Sequence, residues 1–194
     1  MRVGVLALQG DFEAHSRRLS DLGAEAVEVR YGHQLEEIGG LVLPGGESTT
    51  NLILMEEERL WEPLQRFVGQ RPVLGTCAGA ILLARDVSNP SQPSLGAIAM
   101  SIERNAYGRQ ADSSIRTVEP EREFTERTRG GPLEAVFIRA PIIRSVDPGV
   151  TVLLTDGPDP ILVEQGRHLA ATFHAELTTD TRLHELFLDK VGRG

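Results

Sequence analysis

The sequence has a single cysteine among its 194 residues. One thiol excludes an internal disulfide and any metal site built from several cysteines, and it suits a reducing compartment. Long apolar runs are missing as well, since nothing approaches the roughly 18 residues that a membrane span requires. The first apolar stretch, Val3-Gly4-Val5-Leu6-Ala7-Leu8, is closed by Gln9-Gly10-Asp11 too early to form the core of a signal peptide. Positive charge is in deficit, with 20 Lys and Arg against 28 Asp and Glu and a formal net charge of −8. A chain of that sign offers no electrostatic footprint for nucleic acid or an anionic membrane surface. Internal repeats and extended low-complexity segments are not evident either. What these absences leave is the expectation of a cytoplasmic protein acting on something small.

What is present suits an ordinary globular chain: 40% of residues are hydrophobic and 25% charged. The length fits one domain, residues 1–194, large enough to bury most of its apolar surface without staples. Val3 to Leu8 reads as a buried strand, and Asp11 is placed to cap a helix carrying Phe12, Leu19 and Leu22 near one face until Gly23 ends it. Ala26 to Val29 and Leu41 to Leu43 read as further strands. Helical patterning runs from Asn51 to Met55 and Leu60 to Val68, before another strand at Pro72-Val73-Leu74. Alternating strand and helix patterns predict βαβ units, hence a doubly wound, mostly parallel sheet with helices on both faces. Ligands in such sheets bind beyond the carboxyl ends of the strands, which points to three loops: Gln9-Gly10, Gly45 to Thr49, and the one holding Cys77.

The second half has a different texture. Short strand-like pieces at Ile98 to Ile102, Ser114 to Val118, Ala135 to Ile138 and Val152 to Leu154 predict mixed or antiparallel additions to the sheet. The charged stretch Glu119 to Gly131 reads as an exposed excursion. A hairpin is expected around Gln165-Gly166-Arg167, its second strand delivering His174-Ala175-Glu176. A closing helix follows, with Leu183, Leu186, Phe187 and Val191 on one face.

Chemistry concentrates at Gly75-Thr76-Cys77-Ala78-Gly79. A nucleophile between glycines at a strand-to-helix junction is the pattern of a sharp elbow, in which the glycines remove side chains that would clash and the next N–H faces the reacting carbonyl. The adjoining helix N-terminus favours the thiolate. A lone cysteine is otherwise often a small buried hydrophobe; the flanking glycines argue for the nucleophile. A catalytic thiol needs a base and the base an orienting acceptor. Of five histidines only His174 sits at a predicted strand end with a carboxylate, Glu176, two residues on and so on the same face of an extended chain. His15, His33, His168 and His184 have no such context. A metal held by His174 and Glu176 lacks a visible third ligand. Pro44-Gly45-Gly46-Glu47-Ser48-Thr49 reads either as a turn with Ser48 or Thr49 capping the next helix, or as a loop whose glycines let a backbone N–H reach an oxyanion.

These residues resemble the class I glutamine amidotransferases, whose glutaminase domains carry a Cys-His-Glu triad on a doubly wound sheet. Leu8-Gln9-Gly10, Leu43 to Thr50, Glu103-Arg104-Asn105-Ala106-Tyr107-Gly108-Arg109-Gln110 and Phe137-Ile138-Arg139-Ala140-Pro141 narrow the likeness to the glutaminase subunits of pyridoxal 5′-phosphate synthases, nearly end to end. Ala175 stands where that family usually carries proline, which frees φ and restores an N–H.

The resemblance implies hydrolysis of L-glutamine to glutamate and ammonia, with ammonia passed to a separate synthase subunit, and it implies no cofactor and no metal. It makes Cys77 the nucleophile, His174 the acid and base, and Glu176 its orienter, with the N–H groups of Gly46 and Ala78 forming the oxyanion hole. Substrate contacts fall at Gly46, Glu47, Ser48, Arg104, Ile138 and Arg139; Glu47 suits the α-ammonium, the two arginines the α-carboxylate. Gln9, Gly10 and Gly45 are candidates for a switch that answers to the partner. Two other readings share these features: the glutaminase subunit of another ammonia-channelling synthase, such as that of histidine biosynthesis, or a non-catalytic binding protein of the same fold.

Overall fold

The computed structural model describes residues 1–106 and 113–193, so Tyr107, Gly108, Arg109 and Gln110 of the resemblance lie outside the described residues. In chain order the elements are β1 (Arg2–Leu6), α1 (Phe12–Asp21), β2 (Glu25–Val29), a 3-10 helix (Gly32–Glu37), β3 (Gly40–Leu43), α2 (Ser48–Glu57), α3 (Trp61–Gln70), β4 (Val73–Thr76) and α4 (Ala78–Leu83). The second half supplies β5 (Ala84–Ser88), β6 (Ile98–Glu103), β7 (Ser113–Val118), α5 (Arg122–Thr125), β8 (Leu133–Ile138), β9 (Ile142–Val146), β10 (Thr151–Asp156), β11 (Asp159–Gln165) and β12 (His168–Ala171). A second 3-10 helix (Ala175–Leu177) and α6 (Arg182–Arg193) close the chain.

Seven strands form the main sheet in the order β10-β11-β12-β4-β3-β1-β2. The five from β12 to β2 are parallel, and β11 and β10 extend one edge antiparallel. The centre is parallel because β1, β3 and β4 are continuous apolar runs, and only a strand covered on both faces can afford to be apolar on both. Alternate side chains feed two separate cores. Val3, Val42 and Leu74 join Leu19 of α1 and Leu183, Leu186 and Phe187 of α6 on one face. Leu41, Leu43 and Val73 join Met55 of α2, Leu64 of α3 and Ile81 of α4 on the other. The helices therefore cover both faces, as the alternating pattern predicts.

The middle of the chain departs from expectation. Of the strands read as additions to the sheet, only β10 joins it as a new antiparallel edge with β11. Strands β5, β6 and β9 make a separate three-stranded sheet, and β7 and β8 a two-stranded ribbon. Strands β5 and β9 were not legible in the sequence, because their exposed residues interrupt the apolar alternation. The charged excursion is anchored rather than free: it holds the short α5, whose Phe124 is fully buried and caps the α6 side of the core.

Four parallel strands, β1, β3, β4 and β12, end at the same side of the sheet. Beyond those ends lie Gln9 to Asp11, Gly45 to Glu47, Cys77, and His174 to Glu176. Sequence reasoning identified three of these loops as sheet-end loops. The fourth is brought there by pairing, since β12 runs parallel to β4 with Ala171 opposite Thr76.

Candidate active site

The elbow at Cys77 is a strained turn. Its backbone sits at φ 49°, ψ −105°, a left-handed conformation rare for a residue with a side chain, and α4 starts at the next residue. The Cys77 N–H donates to the Ala171 carbonyl at 2.8 Å, and its own carbonyl accepts from the Ala80 N–H at 3.1 Å. The flanking glycines allow the packing that forces this turn. A Cβ on Gly75 would lie 2.5 Å from the Gly79 backbone, and one on Gly79 would lie 1.9 Å from the Leu43 carbonyl oxygen. Strand, elbow and helix are thus too close for any side chain at either position.

His174 is held by its backbone and by its ring. Its N–H donates to the Val136 carbonyl of β8 at 2.8 Å. Its Nδ1 lies 2.6 Å from Glu176 Oε1, a short charge-assisted contact between two buried groups. The pairing is made, but not by the expected route: β12 stops at Ala171, and His174 sits at the mouth of the 3-10 helix Ala175–Leu177 rather than in extended chain. The tight turn, and not strand alternation, brings positions i and i+2 together. With Nδ1 committed to Glu176, Nε2 is the nitrogen left for the thiol.

Electrostatics support that division. Burial by itself lowers the pKa of His174, but hydrogen bonding to Cys77 and Glu176 and their negative charge outweigh it and raise it to about 10. Burial pushes the Glu176 carboxyl upward, and the opposing effects of His15 and His174 hold it well below the ordinary carboxylate range. Asp11 also faces this ring, its Oδ2 3.6 Å from Nδ1. It occupies the position before α1 without making the capping hydrogen bond expected of it. Among the described residues, Asp11, His174 and Glu176 are the one group of three spaced as metal ligands could be. A cation there would have to displace the Nδ1 proton that Glu176 already holds, so the donor set fits a proton better than a metal.

The glycine loop packs against the His174 ring. A Cβ on Gly45 would lie 2.4 Å from His174 Cε1, and Gly46 takes φ 131°. Gln9 and Gly10 lie directly against this loop. The Gln9 amide donates to the Glu47 carbonyl at 3.0 Å and accepts from the Glu47 N–H at 3.4 Å, while a Cβ on Gly10 would come within 1.9 Å of the Gly45 oxygen. Ser48 lies within α2 instead of capping it, and donates to Gln92 Oε1 at 2.9 Å; Glu47 takes the position before the helix.

The charged candidates converge on Glu47. Arg139, at φ 47° just after Ile138 ends β8, places Nη1 3.6 Å from Glu47 Oε1. Arg104 donates to Thr49 Oγ1 at 2.7 Å, and burial lowers its pKa against the opposing charge of Glu47. Sequence reasoning missed two residues behind His174 and Glu176. His15 of α1 and His184 of α6 are fully buried, and His15 Nε2 lies 3.2 Å from Glu176 Oε2. Their signal was faint: each falls on the inward face of its helix, beside Leu19 and Phe187.

A buried thiol on a strained elbow, a histidine beside it and a carboxylate on that histidine are the groups that thiol-dependent acyl transfer requires, and the comparisons supply the class. The chain matches the SNO glutamine amidotransferase family over residues 5–193, and it belongs to that family. It is 56% identical over 190 residues to the pyridoxal 5′-phosphate synthase subunit PdxT of Solibacter usitatus, covering 98% of this chain and 99% of that one. Its identity to the same-named subunit of Koribacter versatilis is 54% over 194 residues, covering 100% and 97%. A crystal structure of a glutamine amidotransferase superposes with a TM-score of 0.86 at 45% identity, covering 98% of both chains.

Proposed function

We propose that this chain is a single glutaminase domain that serves a pyridoxal 5′-phosphate synthase, hydrolysing L-glutamine and handing the ammonia to a synthase subunit in the cytoplasm. The observation that carries the chemistry is the 2.6 Å contact between His174 Nδ1 and Glu176 beside the strained Cys77. The name of the relatives supplies the destination of the ammonia.

Cys77 Sγ attacks the side-chain carbonyl carbon of glutamine, and the oxyanion that forms is met by the N–H groups of Ala78 and Gly46. As the tetrahedral intermediate collapses, the C–N bond breaks and His174 gives its Nε2 proton to the departing ammonia. A water then loses a proton to His174 and attacks the thioester; the C–S bond breaks, glutamate leaves, and the Cys77–His174 pair is restored. Glu176 keeps the ring oriented and stabilises the imidazolium throughout.

Substrate recognition follows from the charges at the rim. Glu47 takes the α-ammonium, Arg104 and Arg139 the α-carboxylate, with Ile138 and Ser48 lining the approach. In the free chain Glu47 and Arg139 face each other while more than half exposed. An exposed pair of that kind is worth under about 1 kcal/mol, so glutamine can separate it and give each charge a new partner.

The contacts of the glycine loop support coupling to the synthase at that loop. Gln9 clamps Glu47 from both backbone sides and Gly10 abuts Gly45, so a partner that moves the end of β1 moves the oxyanion loop. The experiment is glutamate release by the purified chain with and without the synthase subunit. A large rise on adding the partner is expected. Full activity alone would remove the coupling, and no activity in either condition would remove the function.

A further inference from the structure

Beneath the triad lies a chain of buried polar groups that the mechanism does not use. His15 Nε2 is 3.0 Å from Thr76 Oγ1 and 3.2 Å from Glu176 Oε2, and His15 Nδ1 is 3.0 Å from His184 Nε2. Thr76, His15 and His184 are sealed from solvent and Glu176 nearly so. The two rings lie 5.2 Å apart between centroids and are tilted by 53°. Among the described residues, Glu176 Oε2 and His184 Nδ1 have no aligned hydrogen bond.

Those orphan atoms decide the tautomers. Suppose neutral His15 carried its proton on Nδ1. Its bare Nε2 would then accept from the Thr76 hydroxyl but set its lone pair 3.2 Å from a carboxylate oxygen, and His184 would have to accept at Nε2 and bury an unpartnered Nδ1–H. Both are costly, because a buried donor without an acceptor forfeits its full hydration. With the protons on Nε2 of both rings, His184 donates to His15 Nδ1, and His15 donates to Thr76 Oγ1 while its N–H edge lies 3.2 Å from Glu176 Oε2, an electrostatic attraction outside hydrogen-bond alignment. What stays bare is a lone pair on His184 Nδ1 and the off-axis Glu176 Oε2, both of them acceptors, and no buried ring N–H.

The same arrangement addresses a weakness of the triad. Glu176 is tied to His174 through Oε1 alone, and a carboxylate held at one oxygen can rotate about its last bond. We propose that His15 is a positioning residue for the reaction: it holds Glu176 by Oε2, ties that carboxylate to Thr76 on the strand that carries the nucleophile, and is itself fixed by His184. This inference rests on the glutaminase reading of Cys77, His174 and Glu176.

The test uses the chain in complex with its synthase subunit, assayed for glutamate release from L-glutamine. His15→Leu keeps the bulk and removes the donor; His15→Gln places an amide N–H near the position of Nε2. His15→Leu is expected to lower kcat about tenfold or more with KM changed less than about twofold, and His15→Gln to recover to within about threefold of the parent. A loss caused only by disturbed packing would not be rescued by a donor at that one position. Long-range ¹⁵N–¹H spectra of the unmodified chain labelled at histidine should show Nε2–H tautomers for both His15 and His184. A folded His15→Leu chain with the parent kcat, a His15→Gln chain no better than His15→Leu, or an Nδ1–H tautomer on His184 would each overturn the proposal. If His15→Leu does not fold, the spectra decide. If the unmodified complex releases no glutamate, the glutaminase reading fails instead, and the tautomers still judge the His15–His184 arrangement.

Discussion

Adding one methyl group at Gly45 tests how tightly the base is held. Gly45 does not occupy the left-handed region, so alanine is tolerated by the backbone, and the perturbation is steric alone. The new Cβ would lie 2.4 Å from His174 Cε1, 3.1 Å from Nδ1 and 3.3 Å from Nε2. Carbon atoms in contact rest near 3.5 Å, so the ring must retreat by about 1 Å. That retreat is aimed at an imidazole whose Nδ1 is only 2.6 Å from Glu176 and whose backbone is tied to Val136. A 1 Å displacement of a catalytic group costs on the order of a hundredfold in rate, equivalent to about 2.7 kcal/mol of transition-state stabilisation. Gly45 is buried against a buried ring, so the overpacking should also lower stability by roughly 1–3 kcal/mol, too little to unfold the chain under assay conditions. The assay is kcat for glutamate release by Gly45→Ala in the presence of the synthase subunit, with the melting temperature as control. A kcat within about threefold of the parent in a fully folded variant would refute the claim that this loop sets the position of His174.

Other outcomes follow from the same site. Cys77→Ala should abolish turnover while leaving the fold intact, since a small apolar residue fills a buried elbow at little cost; retained turnover would remove Cys77 as nucleophile. Glu47→Ala or Arg139→Ala should lower kcat/KM at least about tenfold, mostly through KM, and an unchanged value would remove that residue from the substrate site. His174 titrates near 10, so it keeps its proton for the leaving ammonia across neutral pH; activity should fall on the alkaline side near pH 10, and a fall near pH 6.5 would contradict the Cys77–His174–Glu176 pairing. Burial, helped by Arg167 and Lys190, depresses His168 to about 4, so the unfolded chain binds its proton first as pH falls below 6.5. Stability should therefore drop between pH 6.5 and 4, by as much as ~3 kcal/mol from this group, and His168→Leu should flatten that slope in urea unfolding; an unaltered slope would reject the assignment.

The legibility of this chain was uneven for a physical reason. Apolar runs at β1, β3 and β4 and the glycine-flanked Cys77 are local features, because burial on both faces and a forbidden Cβ leave their mark at consecutive positions. The pairing of His174 with Glu176 was legible from their spacing, although the turn that joins them is a 3-10 helix rather than a strand. Strands β5 and β9 were not legible, since half-exposed edge segments carry no alternation that distinguishes them from loop.

By itself the sequence determined the parallel sheet, the glycine-flanked elbow, the closing amphipathic helix and the family likeness, because each leaves its mark at consecutive or regularly spaced positions of the chain. Tertiary structure alone decided which distant groups meet: β12 beside β4, which delivers His174 to Cys77; Gly45 against the imidazole; Glu47 facing Arg139; and His15 joined to His184 across 169 positions of sequence. A buried histidine looks the same in sequence whether it fills a core or lies against a carboxylate, because its surroundings are set by folding, which here brings Glu176 Oε2 to 3.2 Å from His15 Nε2.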